Sequence, residues 1–126
     1  MTELKLAEEM ALLYESIKVP LEKGNPAGLM DDLTYRCEWL ARSAEIVADA
    51  QRVYDIARGE MAESARTLKL NPTQTREYIA GGCANEHKLL TLAERLNATL
   101  THQIDAVRTL ISYEKQLASQ TMREGQ

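Results

Sequence analysis

Polar side chains that could bind an anion are concentrated in the C-terminal half of the sequence. Asn97, Thr101 and Arg108 are separated by four and seven positions, which places them along one face of a helix. Their guanidinium, amide and hydroxyl groups can donate to phosphates or to the backbone of a partner. The candidate ligand-binding residues are Arg58, Arg95, Asn97, Thr101, His102 and Arg108. For His102, the alternative is a surface imidazole that pairs with Asp105.

Motifs for catalysis or for metal binding do not occur in the sequence. A carboxylate-bridged di-iron bundle needs Glu-x-x-His, and neither His87 nor His102 has a glutamate three positions before it. Glu60 and Glu63 resemble half of the magnesium site of all-α nucleotide pyrophosphatases, but no Glu-x-x-Asp partner follows at a suitable distance. The glycines at 81–82 lack the following Lys-Ser/Thr of a phosphate loop and predict a left-handed helix cap. We therefore expect a protein that is not an enzyme and that has no metal and no cofactor.

Residues 65–79 resemble a helix-turn-helix DNA-binding segment. Asn71 would cap the recognition helix and Ile79 would anchor it, whereas Lys69 stands where that family has glycine in the turn, and Thr75 replaces a buried aliphatic residue. Acidic residues offset the basic ones here, so DNA is an unlikely partner and DNA binding is the second alternative. The other interpretation of the segment is a plain helical connector.

A second resemblance covers residues 92–115, which are similar to stretches in short uncharacterised helical proteins encoded by phages and mobile elements. The resemblance implies a phage-borne origin and names no activity.

The composition predicts a helical protein in the cytoplasm. The 126 residues contain no Phe, only 5% aromatic residues and 44% hydrophobic residues, and the net charge is −4. Long helices favour such a composition, and no apolar run reaches the roughly 20 residues that span a bilayer. The first residues have no basic flank before an apolar region, so we expect no secretory signal. Cys37 and Cys83 should be free thiols, as in a reducing compartment.

Apolar periodicity and capping signals predict one all-α domain, a helical bundle built on a long antiparallel hairpin with an N-terminal helix packed on it. The predicted helices are residues 2–19, 26–67, 72–80 and 84–118, and the tail 119–126 should fray. Asn25-Pro26 and Asn71-Pro72 are typical helix starts. The hairpin prediction follows because the segment between the two long helices is too short for parallel pairing.

A seam of apolar residues at every seventh position predicts how the long helices pack. It consists of Leu33, Leu40, Val47, Tyr54, Met61 and Leu68. If Leu68 lies near Leu89, Gln103 falls opposite Tyr54 and Arg36 comes near Glu114. Polar layers of this kind fix helix register, or else they line a ligand cavity.

Both long helices carry a second apolar stripe, which predicts a homo-oligomer. The N-terminal helix is too short to cover the hairpin, so another copy of the chain should bury the rest. The predicted oligomer interface consists of Trp39, Ile46, Val53, Ile104 and Ile111.

Two functional hypotheses follow from these patterns. The first is a non-enzymatic oligomeric interaction protein, phage-borne, that binds a host or phage protein. The alternative is a protein that sequesters a small anionic ligand, such as a signalling nucleotide, between protomers.

Overall fold

The computed structural model describes residues 3–124, and every regular element in that range is an α-helix. The helices are α1 (Glu3–Ile17), α2 (Pro26–Thr67), α3 (Pro72–Gly82) and α4 (Ala84–Glu124). The predicted all-α class is therefore confirmed. In the described range, no helix combines the length and the apolar character that crossing a membrane requires.

Both predicted helix starts are formed as expected. The Asn25 side chain accepts a hydrogen bond from the Gly28 amide, and Pro26 opens α2. At α3, the Asn71 side chain accepts from the Gln74 amide at 2.8 Å while the Gln74 side chain accepts from the Asn71 amide at 3.2 Å. This reciprocal capping box satisfies two amides that have no partner inside the helix.

The end of α2 is closed by a residue in the left-handed conformation. Lys69 has a φ of 55°, and the Leu70 amide donates to the Ala65 carbonyl while the Lys69 amide donates to the Arg66 carbonyl. This pair of bonds is a Schellman motif, in which glycine normally occupies the left-handed position. Here a lysine occupies it, at the position where the helix-turn-helix resemblance expects glycine.

Three predicted helix ends differ from those in the structure. The first helix, α1, ends at Ile17 rather than at residue 19, and its predicted start at residue 2 lies outside the described residues. A left-handed glycine does not end α3: the helix includes Gly82, and Cys83 caps it with a φ of −112°. The predicted helix end at residue 118 is also wrong, because α4 continues to Glu124. Residues 125–126 of the predicted frayed tail lie outside the described residues. The segment 119–124 contains no proline or glycine, and the Thr121 hydroxyl donates to the Leu117 carbonyl within the helix.

Contacts between α2 and α4 run in opposite order along the two helices, with a register that differs from the predicted one. Arg36 contacts Gln103, Ser43 contacts Asn97, and Tyr54 contacts His87. Gln103 therefore lies opposite Arg36 rather than Tyr54.

The α3 helix is the physical reason for this shift in register. It packs against the end of α2, so closely that a Cβ atom on Gly82 would collide with Met61 Cε. Because α3 occupies the last turns of α2, α4 begins beside Tyr54 and never reaches Leu68, which is 57% exposed.

The main core lies between α1, α2 and α4. Its buried residues are Leu6, Met10, Leu13, Ile46, Ala50, Leu90, Ala93, Leu96 and Leu100. The seam residues Leu40, Val47 and Tyr54 are only partly buried beside it. Since two helices contact α2 at once, the centre of the core falls between the seam and the second stripe. A smaller cluster of Leu29, Val107 and Ile111 continues the core toward the start of α2.

Replacing Lys69 with glycine should stabilise the protein. A side chain in the left-handed region costs about 1–2 kcal/mol, and glycine loses part of this gain to its greater freedom in the unfolded chain. We expect Lys69→Gly to raise the free energy of unfolding by about 0.5–1 kcal/mol in urea titrations. Lys69→Ala, which removes the charge but keeps Cβ, is the control and should give no comparable gain. An equal gain in both variants would assign the effect to charge.

Candidate functional site

A buried arginine of α2, Arg36, lies beside the C-terminal end of α1 and holds that end in place. Arg36 is 1% exposed, and its Nη2 donates to the Val19 carbonyl. Its Nε donates to Gln103 Oε1 at 3.2 Å, and Nη1 lies 3.7 Å from Asp32 Oδ1. Nη1 has no hydrogen-bond partner among the described residues. One guanidinium therefore joins α2, α4 and the segment that follows α1.

Two further hydrogen bonds complete this polar cluster, which we call the Arg36 clamp. Gln103 Nε2 donates to the Ile17 carbonyl at 2.7 Å, and the Glu22 amide donates to Asp32 Oδ2 at 2.8 Å. Both backbone groups lie where α1 has ended, so no helical partner satisfies them. The clamp thus fixes the C-terminal end of α1 against α2 and α4.

A groove runs along the contact between α1 and α4. Its larger part has a volume of about 890 Å³ and begins at the first turns of both helices. The α1 residues Glu3, Leu4 and Ala7 form one wall of this part. The α4 wall consists of Ala84, Asn85, His87, Lys88, Leu89, Thr91, Leu92 and Arg95.

The groove continues along α1 as a second, more apolar part. This part has a volume of about 340 Å³ and is lined by Ala7, Met10, Ala11, Tyr14, Leu89, Leu92 and Leu96. The two parts share Ala7, Leu89 and Leu92. Three large side chains at its margins face solvent: Leu4 is 71% exposed, Tyr14 48% and Leu92 46%. Exposed apolar side chains that line one groove are typical of a binding surface.

Charged groups meet at the N-terminal end of the groove. The side chain of Glu3 forms a hydrogen bond with that of Glu86, and this bond, desolvation and the Glu86 charge raise the pKa of Glu3. Glu86 Oε2 is buried and has no hydrogen-bond partner among the described residues. Two carboxyl groups in contact hold a shared proton more tightly than one does alone.

Cys83 lies three residues before Glu86 in the sequence and is buried. Burial raises the pKa of its thiol, the charges of Glu86 and Glu60 raise it further, and Arg58 opposes them. A thiol with a raised pKa is a poor nucleophile at neutral pH. Cys83 and the exposed Cys37 are both free, as predicted. Among residues 3–124, no group of three or more histidine, cysteine or acidic side chains is arranged to hold a metal ion.

The six predicted ligand-binding residues do not converge on one pocket. Arg58 pairs with Asp55 and lies over the Tyr54 ring, and Arg108 pairs with Asp105. In α4, 13 residues separate Arg95 from Arg108, or about 20 Å along the helix.

Among the remaining predicted ligand residues, Asn97 has a structural role. The Asn97 amide donates to the Ser43 hydroxyl, which joins α4 to α2, and the Thr101 hydroxyl donates to the Asn97 carbonyl. His102 is exposed. Of the whole set, only Arg95 lines the groove.

Three residues of the predicted oligomer interface belong to the core of a single chain. Ile46, Ile104 and Ile111 are at most 7% exposed. Ile46 belongs to the main core and Ile111 to the smaller cluster. Trp39 and Val53 are partly buried and pack against the main core. The available apolar surface in this region is therefore smaller than the sequence pattern indicates.

The core-facing stripe of α1, on which the predicted packing of this helix depends, does not predict the groove. A second set of residues, at positions 4, 7, 11 and 14, has the same alternation of three and four. This set faces the groove. A helix with two apolar faces was the available signal for a second packing surface.

Comparisons of this chain with protein-family models, with curated proteins and with solved structures gave no match. The candidate function therefore depends on the geometry of the chain alone.

Loss of the Arg36 side chain should detach the end of α1. Arg36→Ala leaves the Val19 carbonyl and Gln103 without their donor and Asp32 without its cation. We expect the free energy of unfolding to fall by about 3 kcal/mol or more in urea titrations. Hydrogen exchange should be fastest in α1. Arg52→Ala removes an exposed arginine that pairs with Asp49 and should change stability by less than about 1 kcal/mol. Equal effects of the two variants would contradict the role of the clamp.

The pair of Glu3 and Glu86 should make stability depend on pH. A carboxyl group whose pKa is raised by folding contributes stability at acidic pH, and this contribution is lost as the pH rises through the raised pKa. Glu3→Gln keeps a donor for Glu86 and removes one negative charge. We expect this variant to melt above the wild type at pH 7 and to lose that advantage toward pH 4.

Glu8→Gln is the matched control for this experiment, because it makes the same charge change at an exposed position of α1. Thermal melts from pH 4 to 8 should show the wild-type pH dependence in this control. A Glu3→Gln profile parallel to the wild type would show that the two carboxyl groups do not share a proton.

Proposed function

We propose that this chain is a non-enzymatic helical interaction protein that assembles into an oligomer and binds a protein partner through the groove between α1 and α4. The observation that carries this proposal is the row of exposed apolar side chains along the groove, Leu4, Tyr14 and Leu92. We further propose a phage-borne origin and a host or phage protein as the partner, in line with the resemblance of residues 92–115.

The groove is suited to a helix of another protein. An amphipathic helix can place apolar side chains at positions i, i+3 or i+4, and i+7 into such a groove. The groove is lined by Ala7, whose small side chain permits a close approach, and by Leu89, Leu92 and Tyr14, which offer larger apolar surfaces. Lys88 and Arg95 favour acidic residues on the partner at one end of the groove.

A small anionic ligand is the alternative occupant. Lys88 and Arg95 line the same part of the groove, and an anion could bind between them. Glu3 lies in that part too, and its negative charge opposes an anion. Because the other predicted ligand residues lie elsewhere, we favour the protein partner. Calorimetry with nucleotides distinguishes the two, since saturable binding that depends on Arg95 supports the ligand.

DNA binding by residues 65–79 is the weaker alternative. Arg66 pairs with Glu63, which lowers the positive charge available to a phosphate backbone. A salt-dependent mobility shift with duplex DNA would be evidence for this function.

Photo-crosslinking tests the proposed function directly. A benzophenone amino acid replaces Leu92 in the groove, and a second variant carries it at Met30, which is about equally exposed on α2. On irradiation in the expressing cells, we expect a discrete adduct from position 92 that is absent or weak at position 30. The mass of the adduct identifies the occupant. Adducts from position 30 alone, or none from position 92, would overturn the assignment of the groove.

A further inference from the structure

The edge of the groove along α1 is acidic. Four of the α1 residues that line the groove recur at alternating spacings of three and four, like positions a and d of a heptad. They are Leu4, Ala7, Ala11 and Tyr14. Glu8 and Glu15 then take position e, beside this apolar row, and both are exposed. On the other side of the row, Met10 belongs to the core and Glu3 contacts Glu86. The solvent side of this wall therefore carries a carboxylate every seven residues.

The edge of the groove along α4 is basic. Leu89, Leu92 and Leu96 line the groove at spacings of three and four and take positions a, d and a. Lys88 and Arg95 take position g, line the same groove and are exposed. The two walls of one groove thus carry opposite charges, and the charge on each wall repeats after seven residues.

Three of these four charges form no ion pair within the described residues. Glu8, Lys88 and Arg95 pair with no other residue among 3–124, whereas all five arginines of α2 form ion pairs. Glu15 is partly neutralised by Lys18, whose Nζ lies 3.3 Å from its carboxylate. Charges beside the apolar row of a coiled coil select the partner helix and its orientation. Both edges of the groove therefore have charge available for a partner.

We propose that the groove between α1 and α4 binds an amphipathic helix of another protein whose apolar row has basic residues along one flank and acidic residues along the other. This inference rests on the proposed function and names the chemistry of the partner. The basic flank contacts the α1 edge, and the acidic flank contacts the α4 edge. Because α1 has 15 residues, two heptads of the partner, about 21 Å, fill the groove.

Peptides of two heptads test this arrangement of charge. Two peptides share leucine at positions a and d and have the same composition. One has lysine along one flank and glutamate along the other, and the second alternates the two residues along both flanks. In fluorescence anisotropy titrations, we expect the first peptide to bind the wild type at least about fivefold more tightly, because all its flank charges meet opposite ones. The preference should shrink at about 1 M NaCl, where exposed charges are screened.

Reversal of one edge should change which peptide binds best. Lys88→Glu with Arg95→Glu gives the groove two acidic edges, and we expect this double variant to prefer a peptide with lysine on both flanks. Glu8→Lys with Glu15→Lys should instead prefer glutamate on both flanks. All four positions are exposed, so circular dichroism should match the wild type.

Lys115→Glu with Arg123→Glu is the matched control for the α4 edge. It makes the same charge change at exposed positions of the same helix, beyond the residues that line the groove. This control should keep the wild-type preference. An equal change of preference in the control would assign the effect to net charge and contradict the inference.

The remaining outcomes separate this inference from the proposed function. If the peptides bind equally well, or if none of them binds, the inference fails. A heterologous adduct from position 92 would in either case still support the proposed function. An adduct of twice the chain mass would identify a second copy as the occupant and would contradict the inference.

Discussion

Burial of the Arg36 charge is the constraint on which the rest of this structure depends. A guanidinium removed from water is costly unless its donors find acceptors, and here the acceptors come from three parts of the chain. The end of α1, the start of α2 and the middle of α4 are brought together to satisfy one side chain. Apolar contacts are non-directional, so they fix the position of α1 along its neighbours less sharply than these hydrogen bonds do.

The position of α1 in turn creates the groove. α1 is 15 residues long, about 22 Å, and α4 is 41 residues long, about 61 Å. Since the clamp holds one end of α1 at Gln103, its first turn reaches the beginning of α4, where Glu3 contacts Glu86. At that level, the groove is the space between the neighbouring surfaces of α1 and α4. The surface that we assign to binding is thus a consequence of where a buried polar network anchors a short helix.

Interactions between residues close in sequence made much of the helical structure predictable. Contacts between residues far apart in sequence could not be predicted. Asn25 and Asn71 specify helix starts through bonds to amides three residues later, so the sequence contains the whole interaction. The pairing of Arg36 with Gln103 spans 67 residues. A seven-residue repeat does not by itself fix which residues of two helices lie opposite each other, and here α3 occupies the end of α2 and displaces α4 along it. The candidate site was missed for a related reason, because its walls come from helices that are distant in sequence.

The connection between α3 and α4 consists of Cys83 alone, and this couples the rotation of the two helices. In an α-helix each residue rotates the chain by about 100°. Because the link is a single residue, the orientation of α3 about its axis fixes the orientation of α4 about its own axis. The rotation of α4 about its axis determines which of its sides faces α2. At Gln103, 20 residues after Cys83, this side must face the Arg36 guanidinium. One inserted residue at this link would turn the polar contact away from its partner while leaving both helices intact. The short helix α3 therefore determines both the position of α4 along α2 and the side of α4 that faces α2.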